Sequence, residues 1–222
     1  MAFYCLKNES RKFIICVNPK CGCTTIRDWF VHTLEESLSE VDRSCGRYMI
    51  PPETLHLYPD YFKALVVQNP LRRLVSFYYK FVVTGSERWC HADQEAILSL
   101  ENHTFRQFIR VLTDLAIRSC SFQHHLVSQT EQIKMIPFDE VIKTKDIAFG
   151  LKRINQRLGI VYEPLCLNAS GYSDARGRNV CDITPDELST LPVYSYDQFY
   201  DSALREMVSA LYADDIHYYE SI

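Results

Sequence analysis

Glycine is scarce, 7 in 222 residues, and no proline- or serine-rich stretch divides the chain. No segment repeats, and none is of low complexity. These absences remove the usual signs of linkers, solenoids and disordered tracts, and they predict one domain over residues 1–222. No apolar run approaches the ~20 residues of a membrane-spanning helix. Residues 1–11 carry charges and lack a long apolar core, so no signal peptide or membrane anchor is expected, and the expected location is cytoplasmic. A basic excess is missing too. The formal net charge is −4, which argues against a nucleic-acid partner but leaves room for one concentrated anion pocket.

Cysteine is not lacking. There are 9, an odd number with scattered spacing, and several lie inside apolar segments, as Cys16 does in 13–17. That pattern predicts reduced, mostly buried thiols rather than a disulfide framework. The closest pair, Cys21 and Cys23, has no second pair at zinc-ligand spacing, so no metal is expected.

Residues 12–17 are short, apolar and rich in β-branched side chains, and read as a buried strand. Residues 18–23 hold Pro, Lys and Gly and read as a loop. Thr24 or Thr25 is expected to cap the helix that follows, with Ile26, Trp29, Phe30, Thr33 and Leu34 at helical spacing. Residues 64–67 predict a second strand, and Pro70 predicts the first residue of a second helix. Leu74, Val75, Tyr78, Phe81 and Val82 form its apolar face. Two strand–turn–helix units predict an α/β fold: a central parallel sheet flanked by helices, with its ligand at the carboxyl ends of the strands.

Thr104 predicts the cap of another helix, 140–143 a short strand, and Asp146 to Gly159 a further helix. Residues 168–181 read as a polar loop. Thr184 starts a short helix, and a final helix covers about 198–212.

The segment Pro19-Lys20-Cys21-Gly22-Cys23-Thr24-Thr25 carries the strongest signal. A loop between a strand and a helix N-terminus aims backbone N–H groups and the helix dipole at one spot, which suits an anion. Gly22 permits close backbone approach, Lys20 adds a mobile charge, and the threonines add hydroxyl donors. The plain alternative is an ordinary strand-to-helix turn. The loop is not a Walker A loop, because Lys20 precedes Gly22 rather than following a second glycine.

Pro-Lys-x-Gly-x-Thr-Thr after a first strand resembles the 5′-phosphosulfate loop of the sulfotransferases that use 3′-phosphoadenosine-5′-phosphosulfate (PAPS). Residues 13–30 resemble the carbohydrate, Golgi-type (sulfotransferase family 2-like) branch. Residues 67–78, with Asn69-Pro70, Arg73, Leu74, Val75 and Ser76, are similar to that branch's 3′-phosphate segment, and residues 211–215 resemble its closing Tyr-x-x-Asp element. The resemblance implies a P-loop-kinase-like sulfotransferase fold. It implies PAPS as co-substrate, bound by Lys20, Cys21, Gly22, Cys23, Thr24, Thr25, Gln68, Arg73 and Ser76. It also implies a hydroxyl acceptor, expected to be a carbohydrate, held by the loops around 39–61 and 85–102.

One departure stands out. The family usually has Arg where this chain has Gln68, so the charge and bidentate fork are lost. Arg176 and Arg178, in the late polar loop, are candidates to compensate, although a two-Arg loop is more often solvated. Lys20 is the candidate for stabilising the leaving oxygen. His56 is the first candidate for the base that takes the acceptor's proton, with His125 or its neighbour His124 second. Two other classes stay open: a nucleotide-dependent phosphotransferase, and a catalytically weakened sulfotransferase-like binding protein, for which Gln68 is the support.

Overall fold

The computed structural model describes residues 4–34, 45–85, 100, 102–114, 126–131, 133, 136–164 and 179–222. The chain forms two compact units, each assembled from separate segments. The first comprises Met1–Gln68, Gln129–Ala169 and Ser221–Ile222; the second comprises Asn69–Ser128 and Ser170–Glu220.

The first unit holds a five-stranded sheet in the order β3-β1-β2-β4-β5. Its strands are β1 (Tyr4–Asn8), β2 (Phe13–Val17), β3 (Met49–Ile50), β4 (Phe62–Val67) and β5 (Glu140–Lys143). The parallel sheet read from the sequence exists only in part. β2, β4 and β5 are parallel, but β1 pairs antiparallel with both β2 and β3. The reason is connection length. Only residues 9–12 join β1 to β2, with Lys12 in left-handed backbone at φ 48° and its N–H on the Glu9 carbonyl. A link that short permits only a hairpin, whereas parallel neighbours need a long crossover.

Every residue of β2 is buried, as expected of a central strand. Helices α1 (Cys23–His32) and α4 (Ile147–Leu158) belong to this unit; between them in the chain come α2 (Pro70–Tyr78) and α3 (Phe105–Asp114) of the second. Phe13, Ile15, Val17, Ile26, Trp29, Phe30, Ala64, Val66, Ile142, Leu151 and Ile154 share one core. Trp29 Nε1 donates to Asn155 Oδ1 at 2.8 Å, tying α1 to α4. At Gly150 a β-carbon would lie 2.5 Å from Ile142 Cγ2, so only glycine lets α4 settle this close to β5.

The second unit is helical. Beyond α2 and α3 it contains α5 (Pro185–Thr190), α6 (Ser202–Leu211) and most of α7 (Ala213–Ser221). A π-helical turn, Tyr79–Val83, extends α2. The face read from the sequence, Leu74 to Val82, is buried, as are Phe105, Phe108, Ile109 and Leu112 of α3. Aromatic rings interlock here: Phe105 meets Tyr78, Phe199 and Tyr200 at centroid distances of 5.2 Å each, edge to face. The helix read at about 198–212 begins at Ser202, and a further helix, α7, follows it. Residues Tyr196–Phe199 form a 3₁₀ turn closed by a Ser195–Gln198 capping box, and Asp201 then caps α6 through the Leu204 N–H.

Among the described residues, no helix is long and apolar enough to cross a membrane. The six cysteines described, Cys5, Cys16, Cys21, Cys23, Cys45 and Cys181, are free thiols, all but Cys23 buried. Burial first, and then the hydrogen bond to Cys5, push the Cys16 thiol well above its ordinary value, so it stays protonated.

Candidate active site

The loop read from the sequence lies at the carboxyl end of β2 and opens α1. Its threonines do not cap the helix. Gly22 is the N-cap, in left-handed backbone at φ 79°, and no side chain caps it. The positive φ selects glycine there; a β-carbon would also lie 2.7 Å from Ile147 Cδ1, the far end of a side chain that would have to shift. Thr24 is exposed and Thr25 buried.

Lys20 is also left-handed, at φ 67°. For a residue with a β-carbon this costs roughly 1–2 kcal/mol, and strain of this kind gathers at ligand clamps. Left-handed residues at 20 and 22, with Cys21 between them, fold the backbone into a tight turn; the Cys21 N–H and the Cys23 thiol both point back at the Asn18 carbonyl, at 3.1 and 3.5 Å. Asn18 is 2% exposed, and its Nδ2 has no hydrogen-bond partner among the described residues. A buried donor without a protein acceptor is costly and calls for a ligand or water.

The carboxyl ends of the three parallel strands meet around this loop. After β5, Thr144 donates its hydroxyl to the Val67 carbonyl at 2.8 Å. After β4, Gln68 has its backbone held on both sides by the side chain of Gln129. Gln129 Nε2 donates to the Gln68 carbonyl at 2.7 Å, and Oε1 accepts the Gln68 N–H at 3.0 Å. The same Oε1 accepts the Cys21 thiol at 3.1 Å. Gln129 is 2% exposed and Gln68 5%. Asn18, Gln129 and Thr144 were not candidates from the sequence. For Asn18, its place immediately before Pro19-Lys20 was a usable signal; for Gln129 and Thr144 there was none.

In the second unit, Asn69 caps α2 by accepting the Leu71 and Arg72 N–H groups, and Pro70 takes the first helical position, as read from the sequence. Arg73 is 2% exposed, and its Nη1 donates to the Val127 carbonyl at 2.8 Å. Tyr212 donates to the Leu126 carbonyl at 2.5 Å, and Ser128 donates to buried Asp215 at 2.6 Å. Burial raises the Tyr212 phenol to about 12. Arg73 and the Tyr-x-x-Asp element therefore brace residues 126–128. Ser76 is half-buried, as is Arg72 one turn before it, while Arg73 turns inward.

His56 lies in a 3₁₀ turn, Pro52–Leu57, that leads into the amino end of β4. Its ring is exposed, with Nδ1 2.7 Å from the Glu53 carbonyl, and it makes no hydrogen bond to the loop among the described residues. His124, His125, Arg176 and Arg178 lie outside the described residues.

The arrangement around the loop can hold an anion: a helix N-terminus, a lysine in strained backbone and a buried amide with no partner among the described residues stand together at a strand end. Among the described residues, no group of three or more His, Cys, Asp or Glu is placed to hold a metal ion. No curated protein and no solved structure matches the chain. A sequence model of the sulfotransferase family does match, over residues 5–220. Strand–loop–helix geometry at Lys20 and a match across nearly the whole chain lead to the same place: the chain belongs to the sulfotransferase family, in its family 2 branch.

Proposed function

We propose that the protein transfers the sulfuryl group of PAPS to a hydroxyl of a carbohydrate. The observation that carries this reading is the loop after β2, where Lys20 is strained and Asn18 keeps a buried donor without an acceptor among the described residues. A 5′-phosphosulfate fits both features. The first-turn N–H groups of α1, which by helix geometry lack intrahelical acceptors, would bind its oxygens.

In the reaction the acceptor oxygen attacks sulfur, the sulfur–oxygen bond to the 5′-phosphate breaks, and 3′-phosphoadenosine-5′-phosphate (PAP) leaves. One proton passes from the acceptor to a base. Lys20 neutralises the charge that gathers on the leaving oxygen, and a preorganised cation there acts most strongly in the transition state. The candidates for the base stay those of the resemblance, His56 first and His125 or His124 second, although the turn that carries His56 leads into the amino end of β4 and the loop follows the carboxyl end of β2. The 3′-phosphate assignments to Gln68, Arg73 and Ser76, and the compensating role of Arg176 and Arg178, rest on the resemblance. The chemistry requires no metal. The carbohydrate acceptor rests on the branch resemblance, and the cytoplasmic location on the sequence alone.

A second reading, a sulfotransferase-like binding protein, draws support from Gln68, which brings no charge to the family's 3′-phosphate position. Calorimetric titration with PAP and with ATP, followed by transfer from a labelled donor to an oligosaccharide panel, tests both. PAP bound in preference to ATP, with label transferred, is the expected result. ATP bound as well as PAP would return the chain to the phosphotransferases. PAP binding with no transfer would leave the binding protein.

A further inference from the structure

We infer that Gln129 is a positioning residue that couples the 5′-phosphosulfate loop to the 3′-phosphate segment. The inference rests on the PAPS reading above. Its basis is that one buried side-chain amide holds Cys21, in the middle of the loop, and both backbone groups of Gln68, the residue at the family's 3′-phosphate position.

Residue type matters here. To pair with a peptide, a side chain must offer an acceptor and a donor side by side, and an amide does so without any change of protonation state. The amide orientation is forced, since the reverse would set the NH₂ against the Gln68 N–H and oxygen against its carbonyl. Oε1 then has two donors, Gln68 N–H and Cys21 S–H, which fills both lone pairs. The Gln129 amide extends the hydrogen bonding of β4 one residue past its last strand position, directly before Asn69 caps α2. The loop and the end of β4, both in the first unit, are therefore held to each other through one side chain.

Coupling predicts a loss of discrimination rather than a uniform loss of affinity. PAP and adenosine 5′-monophosphate (AMP) share the 5′-phosphate and differ in the 3′-phosphate. Their dissociation constants are to be measured on the wild type, on Gln129→Leu, and on Gln129→Glu, which when ionised keeps an acceptor but sets oxygen against the Gln68 carbonyl. Circular dichroism reports which variants fold. The wild type should prefer PAP, and in a folded variant that preference should shrink about tenfold, the scale of one buried hydrogen bond lost. A structural role alone would weaken both ligands equally and leave the preference unchanged, and that result overturns the assignment. A wild type with no preference would instead overturn the donor reading, and the assignment with it. Hydrogen exchange on the wild type needs no variant: PAP should protect the Gln68 amide more than AMP does, and equal protection contradicts the coupling.

Discussion

Lys20, Gly22 and Gln68 show how single positions set what the candidate site can bind. The loop chemistry of Lys20 and Gly22 was legible because it is local: a strand, a turn and a helix start within a few residues. The cap was misread because threonine is a good N-cap only where the backbone before the helix is extended. Here it is left-handed, and the space beside residue 22 belongs to Ile147, 125 positions away in sequence. Gln129 was illegible for the same reason. Its partners Gln68 and Cys21 lie 61 and 108 residues off, and a lone glutamine carries no periodicity.

Gln68→Arg should tighten PAP binding, because a charge-assisted hydrogen bond contributes roughly 1.5–3 kcal/mol before side-chain ordering is subtracted. PAP affinity equal to wild type in calorimetry would show that another cation already serves the 3′-phosphate. His56→Ala should slow turnover by roughly 10²–10⁴-fold if this imidazole is the base, with PAP affinity unchanged. Its exposed position and local hydrogen bond make this a sharp test, and near-normal turnover would transfer the role to His125 or His124.

Among elements, the two parallel strands with their following helices were readable from β-branched runs and from Pro70. The first strand was not: Tyr4–Asn8 is short, and no glycine or proline marks the turn after it. The helix read at about 198–212 begins only at Ser202, after the Asp201 cap, and α7 beyond it was not read.

Asp201 also joins elements. Arg106 of α3 reaches Asp201 at 2.7 Å and Asp182 at 2.7 Å. The Leu204 N–H first, then Arg106, hold the Asp201 carboxyl below its ordinary 3.8, and Arg106 does the same for Asp182. Depressed carboxylates add stability that is present above 3.8 and lost as pH falls through the lower folded values. Asp201→Asn keeps the cap oxygen but drops the charge. It should cost under about 1 kcal/mol at neutral pH, since the pair is partly solvated. Its thermal stability should fall less steeply than wild type below pH 3.8. Parallel acid profiles for the two proteins would show that the Asp201 charge is not linked to folding.

At the scale of the molecule, the chain leaves and re-enters each compact unit, so that neither is a continuous stretch of sequence. The reading of residues 1–222 as one domain rests on composition, with few glycines and no linker. The family, by contrast, was legible, because two short motifs fall in order on successive strand–helix turns, and the family match spans 5–220. The central claim is that the loop after β2 holds the 5′-phosphosulfate through Lys20. Calorimetric titration of PAP into wild-type protein and into Lys20→Ala tests it most directly. The account predicts measurable wild-type binding and a loss of about tenfold or more in Lys20→Ala, the scale of one charge-assisted hydrogen bond; equal affinity in the two proteins would contradict it.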